Sequence, residues 1–130
     1  MELSFDTTFL IDLHRDIGSQ KAGPATRFLS QNPDAVLMLS VIALGEFAAG
    51  FEDLGSPWLL EVRRRFSILP VNEQVSLVYG EVFRTLKRKG HLIGANDLWI
   101  GSTAIAAGMP LVTRNGKDFR RMPGLQVMTY

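Results

Sequence analysis

The sequence predicts an α/β fold in which helices cover a mainly parallel sheet. Short apolar runs of strand length alternate along the chain with segments of helical periodicity, a pattern typical of right-handed β–α–β crossovers. Residues 35–39 are apolar without interruption, as expected of a strand buried on both faces. A length of 130 residues fits one domain, which we place at residues 1–130.

In the first half of the chain, apolar spacing predicts two strands and four helices. The strands are residues 2–5 and 35–39, and the helices are residues 7–14, 24–31, 41–51 and 57–66. Asp6 and Ser40 stand where N-caps of the first and third helices are expected, and Pro24 lies in the first turn of the second.

In the second half, the predicted strands are residues 67–71, 109–113 and 125–129, and the predicted helices are residues 73–89 and 95–107. Asn72 is expected to cap the amphipathic helix 73–89, and Gly90 to end it. The helix 95–107 is apolar on most sides, which indicates burial. Asn115-Gly116 is typical of a hairpin turn, but residues 117–121 are too charged for a core strand, so we expect a loop there.

Composition excludes several kinds of site. The chain has no cysteine, which rules out disulfides, thiolate zinc sites and cysteine nucleophiles and suits a reducing, cytoplasmic environment. No apolar run is long enough to span a membrane. Residues 1–62 carry three basic and nine acidic residues, a net charge of −6, whereas residues 63–130 carry eleven and four, a net charge of +7. The basic half can attract phosphates or can be an ordinary solvated surface.

Three carboxylates stand alone within apolar stretches. Asp6 is the only charged residue between positions 3 and 11, Glu46 between 35 and 51, and Asp97 between 92 and 113. A buried carboxylate needs a backbone cap, a raised pKa, a distant cation or a bound metal. Asp6 and Asp97 have a simpler explanation as helix caps, and Glu46 as an exposed helical residue. Asp118 lies among basic neighbours, and its simpler explanation is a surface ion pair with one of them.

The predicted topology brings some of these groups to one edge of the sheet. In open parallel sheets, sites form outside the carboxyl ends of the strands, where Asp6, Asn115 and Asp118 are expected. Converging oxygen donors, with no cysteine and two histidines in the chain, match a hard cation such as Mg²⁺. Such an ion promotes in-line attack of water on a phosphodiester.

Four motifs lie in order in the segments FDTTFLIDL (5–13), LSVIALGEFAAGF (39–51) and GANDLWIGSTAIAAGMPLVTRNGKDF (94–119), the last of which contains two motifs. Together they resemble the motifs of PIN-domain ribonucleases, specifically the VapC-type toxins of bacterial and archaeal toxin–antitoxin modules. The resemblance spans the whole chain, and the ordered set is more specific than any single motif.

The resemblance implies a three-layer α/β/α sandwich that binds Mg²⁺ or Mn²⁺ and cleaves RNA, often tRNA or ribosomal RNA. It implies that Asp6 and Asp97 are direct metal ligands, and that Glu46 and Asp118 complete the cluster through waters or a second metal. Thr113 and Asn115 would then orient these groups or the water. It also implies a homodimer and a cognate antitoxin whose C-terminal segment covers the active site.

Basic residues beside the proposed acids are candidates for holding flanking phosphates of RNA: Arg114, Lys117, Arg120 and Arg121. Asp12 is expected to be structural, paired with Arg15 or Arg27.

Other functions on related folds fit less well. The alternative is a catalytically silent PIN-fold scaffold that binds RNA or protein, against which the complete set of four acids argues. A receiver domain would have an Asp pair near its start, and a dehalogenase-type phosphohydrolase would have Asp-x-Asp where this chain has Asp6-Thr7-Thr8. Fold alone does not separate these activities.

Overall fold

A five-stranded sheet lies at the centre of the protein, in a computed structural model that describes residues 1–130. The strands are β1 (Glu2–Phe5), β2 (Val36–Ser40), β3 (Ser67–Leu69), β4 (Leu111–Val112) and β5 (Val127–Met128). Their spatial order is β3-β2-β1-β4-β5, and every pairing is parallel. The predicted parallel sheet is therefore confirmed, with no antiparallel strand.

Seven helices connect the strands. They are α1 (Thr7–Ser19), α2 (Pro24–Gln31), α3 (Val41–Ala48), α4 (Pro57–Arg65), α5 (Glu73–Lys89), α6 (Ala95–Ala107) and α7 (Gly116–Phe119). All six predicted helices are present. Ser40 and Asn72 accept hydrogen bonds as N-caps, and Gly90 and Gly108 end their helices in the left-handed conformation. No helix has the length and apolar character needed to cross a membrane.

Three predictions need correction. Helix α3 ends at Ala48 rather than at residue 51, where the backbone forms a tighter turn in which the N–H of Gly50 donates to the carbonyl of Phe47. Helix α1 continues to Ser19 rather than ending near residue 14, and its last turns pack against the chain: the buried Asp16 accepts a 3.0 Å hydrogen bond from the backbone N–H of Thr26. The loop expected after Asn115 is instead the single helical turn α7. Its backbone closes on itself through the N–H of Arg120, which donates to the carbonyl of Gly116.

Helices cover both faces of the central strand. Leu3, Ser4 and Phe5 of β1 are all buried, and successive strand residues point to opposite faces. The Phe5 ring packs against Phe9 of α1 and Phe28 of α2, with ring centroids 4.5 and 6.1 Å away. The arrangement is the predicted three-layer α/β/α sandwich.

The sheet order places three chain segments side by side at its carboxyl edge. Asp6 directly follows the last residue of β1, β2 runs through Ser40 into α3, and β4 leads into Thr113. Backbone hydrogen bonds hold these ends in register: the N–H of Asp6 donates to Val112, and that of Thr113 to Met128. Candidate side chains far apart in sequence are thereby brought to one place.

Candidate metal centre

Asp6 is a buried N-cap whose two carboxylate oxygens both accept hydrogen bonds. Oδ1 accepts from the backbone N–H of Phe9 at 3.0 Å, which confirms the predicted cap. Oδ2 accepts from the hydroxyls of Thr8 at 2.6 Å and Thr113 at 2.5 Å. Burial raises the pKa of Asp6, and these hydrogen bonds, that of Thr113 first, oppose the rise without cancelling it.

Glu46 links three helices at the rim of the same site. It lies on α3 and is exposed, as one interpretation of the sequence had it, but both of its carboxylate oxygens have protein partners. The hydroxyl of Thr7 donates to Oε1 at 2.6 Å, and the side-chain amide of Asn96 donates to Oε2 at 3.1 Å. These two contacts tie α1, α3 and α6 together around the carboxylate.

Asp97 lies in the first turn of α6 and is not its cap. The N-cap is Gly94, which makes no side-chain hydrogen bond, so the capping explanation of Asp97 was wrong. Partial burial, and then the negative charges of Glu46, Asp6 and Asp118 in that order, raise the pKa of Asp97 to about 6. The other three predicted acids therefore each lie near enough to repel Asp97.

Three of the four acids border one cavity. It has a volume of about 250 Å³ and is lined by Asp6, Thr7, Thr8, Ile11, Glu46, Asp97, Asn115 and Phe119. Asp118, on α7, is not part of this lining, although its charge acts on Asp97. No three of the chain's acidic and histidine side chains are close enough together to hold an ion jointly as they stand.

The donor chemistry of the cavity suits a hard divalent cation. The groups that face it are carboxylate, hydroxyl and amide oxygens, with no histidine among them. Mutual repulsion among the acids would be relieved by a positive ion at this place. The donor atoms of these residues are thus of the kind that binds Mg²⁺ or Mn²⁺. The acids are spaced more widely than the ligands of a fully protein-coordinated ion.

Thr113 and Asn115 are placed as the predicted orienting residues require, and that role stays a prediction. Thr113 is fully buried and holds Asp6 through its hydroxyl. The same hydroxyl oxygen accepts a 3.0 Å hydrogen bond from the backbone N–H of Asn115. The segment after β4 is therefore connected to the first strand by side-chain chemistry as well as by the sheet.

The basic residues near the site differ in whether they form ion pairs. Lys117, Arg120 and Arg121 are exposed and form no ion pair, so the expected ion pair of Asp118 with its basic neighbours is absent. Arg114 is half-exposed, and its guanidinium forms an ion pair with Asp12 at 3.2 Å.

Asp12 has more partners than the sequence indicated. Its pairing with Arg15 is confirmed at 3.4 Å, but pairing with Arg27 was wrong, because Arg27 donates to the carbonyl of Ala22. Arg114 and the hydroxyl of Tyr130 are its additional partners.

Sequence reasoning gave no role to three polar residues that hold the acids. Thr8 holds Asp6, and Thr7 and Asn96 hold Glu46. A signal was available, because each of the three lies within two residues of a predicted acid, Asp6 or Asp97, inside the quoted motifs.

Comparison with known protein families identifies the family of this chain. Residues 4–125 match the sequence model of the family described as "PIN domain". The chain belongs to the PIN-domain family. The resemblance predicted from the motifs is confirmed.

Curated relatives of this PIN domain carry the name VapC. "Ribonuclease VapC" of Rickettsia bellii (strain RML369-C) is 32% identical over 132 residues, which cover 99% of this chain and 96% of that protein. "Ribonuclease VapC1" of Haemophilus influenzae (strain R2866) is 45% identical over 62 residues, covering 48% of this chain. The chain thus matches 46%, about half, of the length of that relative.

Solved structures with the same PIN fold include two that are named VapBC. VapBC2 from Rickettsia felis, bound to a DNA fragment from its promoter, superposes with a TM-score of 0.84 at 27% identity. VapBC-1 from nontypeable Haemophilus influenzae superposes with a TM-score of 0.77 at 29% identity. Each likeness covers 99% of this chain and 98% of the other, so the fold agrees from end to end.

Proposed function

We propose that this PIN domain is a metal-dependent endoribonuclease, the toxin of a VapBC-type toxin–antitoxin module, that hydrolyses RNA phosphodiesters. The observation that carries the proposal is the convergence of Asp6, Glu46 and Asp97 on one cavity, with Asp118 close enough to raise the pKa of Asp97. Membership of the PIN-domain family and the relatives named Ribonuclease VapC support it.

Asp6 and Asp97 are the proposed direct ligands of Mg²⁺ or Mn²⁺. Glu46 and Asp118 complete the cluster through waters or a second ion. The wide spacing of the acids suits Mg²⁺, which keeps several of its waters and needs one or two carboxylates beside the substrate's phosphate oxygens. When bound, the ion supplies Lewis-acid activation of the attacking water and neutralises charge at the phosphate.

Hydrogen bonds from the protein's own groups align the acids. Asp6 accepts three hydrogen bonds, which favour its ionised form and still leave acceptor capacity, because a carboxylate has about four lone-pair sites. Thr113 and Asn115 hold the segment after β4 against Asp6. Thr7 and Asn96 fix the direction of the Glu46 carboxylate.

The proposed substrate is tRNA or ribosomal RNA, held by the basic residues near α7. Arg114, Lys117, Arg120 and Arg121 are all exposed and lie in chain positions adjoining Asn115 and Asp118. Cations beside an acidic metal site attract the flanking phosphates that the acids alone would repel. Further proposed partners are a cognate antitoxin and a second copy of this chain, in the cytoplasm.

The test is cleavage of purified tRNA and ribosomal RNA by the full chain in Mg²⁺, in Mn²⁺ and in EDTA. Asp97→Asn is the active-site variant, and Asp34→Asn, an exposed aspartate away from the cavity, is the matched control. Discrete cuts by the unmodified protein and by Asp34→Asn, absent in EDTA and with Asp97→Asn, support the proposal. Cutting that survives in EDTA and with Asp97→Asn contradicts it.

One observation favours a second candidate, a catalytically silent PIN-fold scaffold that binds RNA or protein. No three acids approach closely enough to hold an ion jointly. A folded protein that neither cuts RNA nor binds Mn²⁺ would support the scaffold, whereas RNA cleavage in Mn²⁺ that depends on Asp97 would exclude it.

A further inference from the structure

A buried carboxylate outside the proposed metal cluster connects three parts of the fold. Asp12, on α1, is 2% exposed, and burying a carboxylate is costly unless it is paired and hydrogen-bonded. The hydroxyl of Tyr130 donates to its Oδ2 at 2.7 Å. Arg114 and Arg15 pair with its Oδ1 at 3.2 and 3.4 Å. Both oxygens are therefore satisfied, by groups from three different segments.

Tyr130 is itself fixed in place. Its ring packs edge-on against Phe9 and Phe28, with centroids 5.1 and 6.2 Å away. Burial, and then the hydrogen bond and the negative charge of Asp12, raise the pKa of the Tyr130 hydroxyl, which stays protonated and remains a donor. The tyrosine thus orients the Asp12 carboxylate from one side while leaving Oδ1 to the two arginines.

Arg114 lies between two residues of the proposed metal centre. It lies between Thr113, which holds Asp6, and Asn115, which lines the acidic cavity. Residues 113–115 belong to neither β4 nor α7 and have no regular structure. Their ties to the rest of the fold include the backbone bond of Thr113 to Met128, the Thr113 hydroxyl and the Arg114–Asp12 pair.

We propose that Asp12 is a positioning residue for the acidic cavity: oriented by Tyr130, it holds Arg114 and so fixes Thr113 and Asn115 against Asp6. The inference rests on the proposed nuclease function for its effect on rate, but its effect on the segment 113–115 does not depend on that function. Arg15 pairs with the same oxygen from within α1 and forms no hydrogen bond or ion pair with residues 113–115, so it provides a matched control.

The test compares Asp12→Asn, Tyr130→Phe and Arg114→Lys with Arg15→Gln in the full chain. Tyr130→Phe keeps the ring packing and removes only the hydroxyl. We expect Asp12→Asn to lower kcat by about 10- to 100-fold and Tyr130→Phe by about 10-fold with little change in KM, the range seen when partners of functional ligands are removed. Arg114→Lys, which keeps the charge, should retain more activity than Asp12→Asn. Arg15→Gln should change kcat by less than about 2-fold.

A second readout is hydrogen–deuterium exchange of the amides of residues 113–115, with thermal melting measured on the same samples. Faster exchange in Asp12→Asn and Tyr130→Phe, but not in Arg15→Gln, is the expected result. Variants that melt at a lower temperature but keep kcat and the exchange of this segment would show a merely structural role and overturn the inference. An equal effect of Arg15→Gln would do the same, because Asp12 would then need only a neutralising cation.

The two proposals fail in different ways. An unmodified protein that cuts no RNA and binds no Mn²⁺ defeats the proposed function. The exchange measurement still decides the role of Asp12 in that case: unchanged exchange of residues 113–115 overturns it, and faster exchange supports it.

Discussion

The hydroxyl of Thr113 donates a 2.5 Å hydrogen bond to Oδ2 of Asp6 and so joins the end of β4 to the end of β1. Asp6 is 4% exposed, and Thr113 is fully buried. Burial raises the pKa of Asp6, and the Thr113 bond is the largest of the influences that lower it. The charge of the central carboxylate therefore depends on a residue that comes 107 positions later in the chain.

Replacing that hydroxyl should weaken both the fold and the site. We expect Thr113→Val to lower the free energy of unfolding by about 1–3 kcal/mol, because it leaves a buried acceptor short of a donor. Thr113→Ser keeps the donor and should cost about 0.8 kcal/mol, the value of one buried methylene. Urea denaturation in EDTA at pH 7.5 measures both. A larger loss in Thr113→Ser than in Thr113→Val would mean that the methyl group, not the hydrogen bond, matters.

Asp97 should destabilise the metal-free protein at neutral pH. Its pKa is raised to about 6, so the folded state disfavours the charged form that prevails at pH 7.5. We expect Asp97→Asn to be more stable in EDTA by about 1 kcal/mol, a figure reduced from that of the full pKa shift because the side chain is partly exposed and screened. Thermal melting at pH 7.5 tests this, with Asp34→Asn as an exposed control that should melt like the unmodified chain. A lower melting temperature for Asp97→Asn would contradict the prediction.

The same pKa predicts how stability depends on pH. Between the ordinary value of 3.8 and about 6, the folded state binds more protons at Asp97 than the unfolded state does. The contribution of Asp97 to the free energy of unfolding should therefore fall as the pH rises through this window, and level off above it. Denaturation curves of the unmodified chain and of Asp97→Asn should converge below about pH 4. Curves that stay equally far apart from pH 4 to pH 8 would exclude Asp97 as the titrating group.

The affinity for metal should rise with pH, whereas the contribution of Asp97 to stability falls. Because ligands bind an ion in their deprotonated form, the apparent affinity for Mn²⁺ should rise as the pH increases through about 6 and then level off. Calorimetric titration with Mn²⁺ from pH 5 to pH 8 measures this rise, together with proton release at the acidic end. An affinity independent of pH over this range would place the ion away from Asp97.

The exposed cations near α7 should govern the salt dependence of RNA binding. With single-stranded RNA and the Asp97→Asn protein in EDTA, Lys117→Gln and Arg120→Gln should each reduce the slope of log K against log salt by about 0.7. Arg63→Gln removes one positive charge from an exposed position at the end of α4, outside the lining of the cavity, and serves as the control. Fluorescence anisotropy at several salt concentrations gives the slopes. An equal reduction with Arg63→Gln would indicate a diffuse charge effect.

Local rules predicted the elements of this fold because each boundary has a local chemical cause. Asp6, Ser40 and Asn72 cap helices through bonds to backbone N–H groups two or three residues away. The sequence also shows the apolar run 35–39, which overlaps β2, and the apolar character of α6. Parallel pairing then followed from the alternation of strands and helices.

Long-range partners could not be predicted in the same way. Asp12 was matched to Arg15 by helical spacing, but Arg114 and Tyr130 reach it only after β4 and β5 join the sheet. The position of Asp97 in the sequence suits a cap as well as a metal ligand, and only the structure identifies Gly94 as the cap. The position of Asp12 between the buried residues Phe9 and Leu13 was the one available sign that it faces inward.

The placement of β1 between β2 and β4 also determines when the cavity can form during synthesis of the chain. A ribosome synthesises Asp6 near the start of the chain and Asp118 near its end, and β1 cannot pair with β4 until residues 111–112 have emerged. The cavity therefore does not exist on a partly made chain, whatever helices have already formed. The proposed ribonuclease would thus lack its acidic cavity while its own chain is being made.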